Sequence, residues 1–186
     1  MIDGLVAPLA TWGAAGFGRI GGERKEIQMA LEIERKFLVK GDGWRGLAEP
    51  ELMKQGYVPA ENHVTVRVRM AGAKAWITLK TPAKDLVRQE FEYEIPIADA
   101  EAMLKSMCGN VVEKKRYRIP AAEQGLAWEV DEFLGANAPL VTAEIELPSA
   151  EFAVQLPEWV GREVTEDNRF KNNRLAARPY SAWSEV

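Results

Sequence analysis

The fold of this 186-residue chain is decided first by residues 32–39, which read Glu32-Ile33-Glu34-Arg35-Lys36-Phe37-Leu38-Val39. Successive side chains of an extended strand point to opposite faces. Glu32, Glu34 and Lys36 therefore share one face, and Ile33 lies on the other. Taken alone, two carboxylates and an ammonium on one strand face indicate a surface in contact with water. The same alternation of charged and apolar residues recurs along the chain, and this repetition makes the charged face a candidate site.

Six later segments alternate in the same way between charged and apolar residues. Strict alternation over such runs favours β-strands over helices. About seven or eight strands of this kind would form a mostly antiparallel sheet that could curl or close. The six segments span residues 63–69, 75–80, 88–95, 112–119, 126–131 and 143–147.

The charges on this repeated face are separated by sign from strand to strand. A face built only for solubility usually interleaves both signs. Clustered carboxylates repel each other unless a cation lies between them, and unpaired buried charges cost several kcal/mol each. A closed barrel with a charged interior satisfies both constraints, with an anion on the basic strands and a hard divalent cation on the acidic ones. The basic residues are Arg67, Arg69, Lys80, Lys114, Arg116 and Arg118, and the acidic ones are Glu32, Glu34, Glu129, Asp131, Glu144 and Glu146.

Composition limits the class of protein. An apolar content of 47% allows one domain with a sizeable core, and the net charge of −4 argues against a nucleic-acid duplex as partner. Cys108 is the only cysteine, which excludes an intramolecular disulfide and suits a reducing cytoplasm. His63 is the only histidine, which argues against zinc sites built from several histidines and against a Ser-His-Asp triad. No stretch approaches the roughly 20 apolar residues that span a membrane.

Four segments between the strands are predicted to be helical. The first is weak because Pro50 interrupts it. Asp99 and Ser149 can cap the second and the third. The last would lie across one end of a barrel. The four segments are residues 44–54, 99–108, 149–156 and 166–177.

The ordered series of strands resembles one known family. The Glu32-x-Glu34-x-Lys36 strand is followed by paired arginines, a single lysine, a strand of alternating glutamates, a Lys-x-Arg pair and a final Glu-x-Glu pair. This order resembles the CYTH superfamily, the triphosphate tunnel metalloenzymes, over roughly residues 30–178. Residues 32–39 and 163–172 look most like the small bacterial inorganic tripolyphosphatases.

The resemblance implies an α+β fold dominated by β structure. Its centre would be an eight-stranded antiparallel closed tunnel, a β-barrel with helices packed outside and a C-terminal plug helix. Residues 1–28, rich in Gly and Ala, are expected to form a disordered N-terminal extension. Residues 29–178 would then be the tunnel domain and residues 179–186 a C-terminal tail.

The resemblance also assigns roles by motif position. Of the three alternating glutamates on residues 88–95, Glu90 and Glu92 are the preferred match to the family pair, and Glu94 stays open. Glu129 would line the lumen. The metal ligands, for Mg²⁺ or Mn²⁺, would be Glu32, Glu34, Asp131, Glu144 and Glu146. The triphosphate would be bound by Lys36, Arg67, Arg69, Lys80, Arg88, Lys114, Arg116 and Lys171. The catalytic candidates are Glu32, Glu34, Lys36, Lys80, Glu90 and Glu92.

The predicted activity is metal-dependent hydrolysis of inorganic tripolyphosphate, or a related triphosphate, to diphosphate and phosphate. Arginine and lysine suit phosphate oxygens, and the charged face carries no Ser, Cys or His nucleophile, so direct attack by water is favoured. The alternatives are a class IV adenylate cyclase that converts ATP to cyclic AMP and diphosphate, a thiamine triphosphatase, or a non-catalytic polyphosphate- or nucleotide-binding protein. A cytoplasmic location is expected, no membrane partner is expected, and a homodimer is left open.

Overall fold

The computed structural model describes residues 33–61, 63–82, 90–149 and 151–183. These residues contain nine strands in a single sheet, and every pairing in it is antiparallel. The strands are β1 (Ile33–Val39), β2 (Pro50–Val58), β3 (Thr65–Ala71), β4 (Lys74–Lys80), β5 (Glu90–Ile95), β6 (Val112–Pro120), β7 (Ala127–Phe133), β8 (Val141–Leu147) and β9 (Val160–Glu163). Their order across the sheet is β5-β4-β3-β2-β6-β7-β8-β1-β9.

The seven strands predicted from alternation are confirmed as β1 and β3 to β8. The helix predicted over residues 44–54 is wrong. Trp44 lies in a turn, and Pro50 begins β2. Proline has no amide hydrogen to donate and is tolerated at the first residue of a strand, so it marks the start of β2 rather than a break in a helix.

The prediction of a closed, eight-stranded barrel is wrong in strand number and in closure. β5 and β9 are the edges of the sheet, and no ladder joins them in the described part of the chain. The ninth strand is short and joins β1 through a register shift between Phe37 and Val39. The sheet still curls, since Tyr57 on β2 and Leu38 on β1, four strands apart, pack against the same buried cluster around Phe170. The concave side, which carries Lys36, Arg67 and Arg116, is called the charged face below.

The predicted helix after β5 is confirmed as α1 (Ile97–Ser106). Its N-cap residue is Pro96, and Asp99 lies in the first turn, so the capping residue was predicted wrongly. Ala100 and Leu104 are buried, and they pack in a cluster with Val68 of β3 on the side of the sheet away from the charged face. α1 therefore covers the outside of the sheet, as predicted for the helices.

The helix predicted over residues 149–156 is wrong, since the described residues from 151 onward contain no helix there. Phe152 and Val154 are partly buried against the core while their neighbours are exposed, and this period of two belongs to an extended chain. The last predicted helix is divided. A 3₁₀ turn, Asn168–Phe170, precedes α2 (Asn172–Ala177), and Lys171 between them has an extended backbone.

The largest apolar cluster lies behind β1, β6, β7 and β8. Its centre is Trp128, whose ring makes edge contacts with Phe37 and Trp159 at 5.7 Å between ring centroids. A second cluster joins Phe170 and Leu175 to one end of β6 and β7, through Val112 and Phe133. The C-terminal residues 179–183 pack onto this second cluster through two aromatic rings. In the described residues, no helix has the length and apolar character needed to cross a membrane.

Candidate active site

A row of alternating charges crosses β6, β7, β8 and β1 on the charged face. Directly opposed residues of antiparallel strands point to the same face. The register therefore places Arg118, Glu129, Glu144 and Lys36 side by side. Lys36 Nζ lies 2.5 Å from Glu144 Oε1 and donates to the carbonyl oxygen of Phe170 at 3.2 Å. At this end of the charged face, Lys36 and Glu144 thus form a buried ion pair, and the C-terminal segment covers it.

The neighbouring row is centred on Asp131, which is completely buried. Arg116 donates to both of its carboxylate oxygens, from Nε and Nη2, at 2.7 Å each. Lys114 Nζ donates to the same carboxylate. Arg116 Nη1 also donates to Glu129, and Nη2 lies 3.4 Å from Glu144. The guanidinium of Arg116 is therefore held in one orientation by three carboxylates.

These contacts fix the charge states of the row. Burial alone would raise the pKa of Asp131, but Arg116 and Lys114 lower it well below the usual range of an aspartate. Burial and the charge of Arg116 lower the pKa of Lys114, which the carboxylate of Asp131 partly offsets. Asp131 therefore remains anionic and orients two cations.

A second group of cations lies on β3. Arg67 Nη2 and Arg69 Nη2 each lie 3.2 Å from the carboxylate of Glu92 on β5. Thr78 donates to Glu92 at 2.7 Å and accepts from Arg67 at 3.1 Å. The Nε atoms of both arginines are buried and have no hydrogen-bond partner among the described residues. Two enclosed donors are therefore unsatisfied beside Glu92.

Glu92 is held as an anion by these neighbours. Burial acts to raise its pKa, but the hydrogen bond from Thr78 and the charges of Arg69 and Arg67 outweigh it, and the net pKa is lowered. The same two arginines repel each other, and burial followed by the charge of Arg67 lowers the pKa of Arg69. An anion with more charge than one carboxylate would relieve this repulsion better than Glu92 does.

The next cation along β4 is Lys80, whose Nζ lies 2.6 Å from Glu90 Oε2. Glu94, the third glutamate of β5, is 3.9 Å from Lys74, and both of these side chains are mostly exposed. Glu90 and Glu92 therefore lie beside the central cations, whereas Glu94 lies at the margin of the charged face.

Two further carboxylates oppose each other at the end of β1 and β8. Glu34 is directly opposite Glu146, and neither forms an ion pair with another described residue. The Glu34 carboxylate is accessible to solvent, yet the surrounding sheet removes much of its hydration. That burial, followed by the charge of Glu144, raises the pKa of Glu34. Hard carboxylate oxygens that repel one another fit Mg²⁺ or Mn²⁺. The described residues do not form a ready-made cage of three or more such ligands.

Three predicted site residues are not among the groups above. Glu32 and Arg88 lie outside the described residues. Lys171 is exposed at the start of α2 and makes no ion pair with the described residues. The carbonyl of the preceding residue, Phe170, is what reaches the charged face at this end.

The charged face includes residues that the sequence analysis did not select. The register places Gln55 and Tyr57 of β2 opposite Arg69 and Arg67. The sequence signal for β2 was the alternation of these two residues with their neighbours. Pro50 and Gly56 interrupt that pattern, so the strand was not predicted. Thr142, two residues before Glu144, is fully buried on the same face with its hydroxyl unpaired among the described residues.

Comparison with known proteins gives a consistent result. Residues 30–180 match the CYTH domain. A curated protein of Acetivibrio thermocellus named inorganic triphosphatase is 44% identical over 158 residues, which cover 84% of this chain and 100% of that protein. A Nitrosomonas europaea protein of the same name is 37% identical over 154 residues, covering 78% and 96%.

Solved structures agree with the sequence comparison. The crystal structure of an inorganic triphosphatase superposes with a TM-score of 0.62 at 35% identity, covering 80% of this chain and 95% of that one. The domain match over residues 30–180 includes the strands that carry both groups of cations. With the domain match over most of its length, the chain belongs to the CYTH domain family.

Proposed function

We propose that the protein hydrolyses inorganic tripolyphosphate to diphosphate and phosphate with the help of a divalent metal ion. The observation that carries this proposal is the convergence of six cations on one concave face that also holds free carboxylates. A triphosphate is a compact polyanion that such a face would bind. The names of the two relatives described above support the same reaction. The six cations are Lys36, Arg67, Arg69, Lys80, Lys114 and Arg116.

Binding of the phosphates would use the cations in two ways. Arg67 and Arg69 share one exchangeable counter-ion, Glu92, so phosphate oxygens can replace that carboxylate at their Nη2 groups. Arg116 is already oriented by Asp131 and needs no rearrangement. Donors fixed in advance stabilise the charge that develops as the terminal phosphoryl group leaves.

The metal would be held on the acidic side of the face. Glu34 and Glu146 are the accessible carboxylates, with Glu144 next to them. A bound Mg²⁺ or Mn²⁺ supplies neutralisation of phosphate charge and activation of a water molecule. Asp131 would reach a metal only by giving up hydrogen bonds from Arg116 or Lys114, so we assign it chiefly to orienting those cations.

The nucleophile would be water. His63 is exposed in the turn before β3, and Cys108 lies beside Leu104 on the outer side of the sheet. Among the described residues, the rows of the charged face contain no Ser, Cys or His side chain. Attack by water on the terminal phosphorus releases phosphate and leaves diphosphate. Water is therefore favoured as the nucleophile over a phospho-enzyme formed on serine, cysteine or histidine.

We further propose a cytoplasmic protein whose partner is a small triphosphate. The single cysteine and the acidic net charge support the location and argue against a nucleic-acid duplex. A homodimer stays a prediction, and light scattering of the purified protein would decide it.

The test supplies the purified protein with tripolyphosphate, ATP or thiamine triphosphate, each with Mg²⁺, Mn²⁺ or excess EDTA. Phosphate and cyclic AMP are both measured. We expect phosphate from tripolyphosphate with either metal and none in EDTA. Cyclic AMP from ATP with little phosphate from tripolyphosphate would assign a cyclase instead. Binding without turnover of any of the three would assign a polyphosphate-binding protein.

A pair of lysine variants on β4 tests the location of the site. Lys80→Met removes a cation next to Glu90, and we expect turnover to fall at least about 100-fold. Lys74→Met removes a mostly exposed lysine on the same strand and the same face, and turnover should change less than about twofold. Equal effects of the two substitutions would refute the proposed position of the phosphates.

A further inference from the structure

Trp76 of β4 is an aromatic residue on the charged face to which the proposed function assigns no role. It lies directly opposite Arg69 of β3, so the two side chains point to the same face. The guanidinium carbon of Arg69 lies over the Trp76 ring, 5.0 Å from its centroid. The ring is half-buried. It therefore lies among charges and contacts a cation that is proposed to bind phosphate.

Arg116 and Arg67 are each oriented by a polar partner that remains when Glu92 is displaced. Arg116 donates two hydrogen bonds of 2.7 Å to the buried carboxylate of Asp131. Arg67 donates to the hydroxyl of Thr78 at 3.1 Å, in addition to its contact with Glu92. Each of these two guanidiniums therefore keeps a fixed partner when phosphate oxygens replace the Glu92 carboxylate.

Arg69 lacks a second polar partner of this kind. Among the described residues, its hydrogen bonds both go to Glu92, at 3.2 Å each, and its Nε is enclosed and unsatisfied. Burial and the neighbouring charge of Arg67 lower the pKa of Arg69, because both disfavour the cation. The face of a tryptophan ring carries partial negative charge and attracts a guanidinium. When Glu92 is displaced, the direct contact within the described residues that still favours this cation is the Trp76 ring.

We propose that Trp76 is a positioning residue for triphosphate binding, whose ring holds the Arg69 guanidinium in place while phosphate oxygens take over from Glu92. This inference rests on the proposed function, because Arg69 is one of its phosphate-binding cations. Trp76 acts through Arg69 and is not itself assigned a contact with the substrate or the metal ion. A neutral ring attracts the guanidinium without competing with the phosphates for its N–H donors. A carboxylate in the same place would have to be displaced, as Glu92 is.

The first test compares two substitutions of Trp76. Trp76→Leu removes the ring and keeps an apolar side chain, and kcat/KM for tripolyphosphate should fall about five- to thirtyfold, the factor that corresponds to a partly desolvated cation–π contact. Trp76→Phe keeps a ring face and should recover part of that loss. Wild-type kcat/KM in Trp76→Leu, or equal losses in the two variants, would overturn the proposal.

Trp183→Leu is the matched control for loss of a tryptophan ring. Trp183 is also half-buried, and the guanidinium carbon of Arg169 lies 5.2 Å from its ring centroid. Arg169 pairs with Asp167 and is not one of the proposed phosphate-binding cations. The control should keep the wild-type kcat/KM at a temperature where thermal melting shows all variants to be folded. Equal losses in Trp183→Leu and Trp76→Leu would attribute the effect to packing and overturn the proposal.

A double-mutant cycle tests whether Trp76 acts through Arg69. Arg69→Met removes the guanidinium, so Trp76→Leu should cause little further loss of kcat/KM in that background. A loss as large as the one in the wild-type background would show that Trp76 acts independently of Arg69. That result would overturn the positioning role.

Calorimetry with tripolyphosphate in EDTA keeps this inference distinct from the proposed function, because it measures affinity without turnover. Trp76→Leu should weaken the affinity of the wild type and leave that of Arg69→Met unchanged. If the wild type binds tripolyphosphate but does not hydrolyse it, the proposed function fails, and the same two affinities still decide the role of Trp76. Unchanged affinity in Trp76→Leu would overturn the inference, whatever the wild type hydrolyses.

Discussion

Replacement of Asp131 by Asn should be among the most destabilising conservative changes in this protein. Asp131 is fully buried and is the direct hydrogen-bonding partner of Lys114, which is itself 1% exposed. The substitution leaves Lys114 and Arg116 as neighbouring cations without the carboxylate between them. Removing one partner of a buried ion pair costs about 3–5 kcal/mol in the free energy of unfolding, and we expect a loss of that size.

Removal of the lysine instead of the aspartate should lower the free energy of unfolding by less. Lys114→Met leaves Asp131 paired with Arg116 through two hydrogen bonds of 2.7 Å, so no charge is left alone. We expect about 1.5–3 kcal/mol, the contribution of one hydrogen bond to a charged group. The double variant should be more stable than the sum of the two losses predicts, because it no longer contains an unpaired buried ammonium.

The pH dependence of stability tests the same buried ion pair independently. The pKa of Asp131 is lowered in the folded protein, so its contribution is complete above the ordinary range of an aspartate and is lost as the pH falls below it. In Asp131→Asn, Lys114 loses the carboxylate that raises its pKa, so its folded pKa drops further below the unfolded value. The unfolded state then binds more protons, and stability of the variant recovers as the pH rises. The difference in free energy of unfolding between wild type and variant should therefore be largest near neutral pH.

The assay is denaturant unfolding in EDTA without substrate, at several pH values, with the free energy extrapolated to water. Three results would contradict this account of the Asp131–Lys114 pair. They are an Asp131→Asn variant as stable as the wild type, a larger cost for Lys114→Met than for Asp131→Asn, and strict additivity in the double variant. Any of them would mean that Lys114 does not form a buried ion pair with Asp131.

Two further predictions concern packing and the surface. Gly56→Ala should lower the free energy of unfolding by about 1–3 kcal/mol, because the new Cβ would lie 2.7 Å from Cys108 Cβ. Gly109→Ala, which meets no atom within 4 Å, is the control, and equal effects in chemical denaturation would contradict this packing. Arg35→Gln breaks a partly exposed ion pair with Glu163 and should cost less than about 1 kcal/mol. Hydrogen bonding by Arg35 lowers the pKa of Glu163, so the small effect should vanish as the pH falls below the ordinary glutamate range, and persistence in unfolding experiments at low pH would argue against it.

Alternation alone was enough to place the strands that carry alternating charges. The pattern around Lys36, Arg67 and Arg116 fixes which residues share a face, because the side-chain period of a strand is two. It failed where the pattern was short or interrupted. β2 begins at Pro50 and contains Gly56, and β9 has four residues without alternation.

Helical predictions failed for a related reason. Residues 149–156 contain a capping serine and a closing proline, yet Phe152 and Val154 gain more by packing on the core from an extended chain. Local capping signals contribute about 1 kcal/mol, which is comparable to or smaller than the burial of one large apolar side chain. Tertiary packing therefore overrides them.

On the strands with alternating charges, the period of an extended chain was enough to predict which charged side chains share one face, although it missed Gln55 and Tyr57 of β2. The separation of cations from carboxylates also predicted the kind of ligand, a polyanion together with a hard metal ion. Which of these charges meet could be read only from the folded sheet. Strand register paired Asp131 with Arg116, brought Glu92 to the arginines of β3 and set Tyr57 opposite Arg67. Register depends on the packing of the whole sheet against its core, and no single segment contains that information.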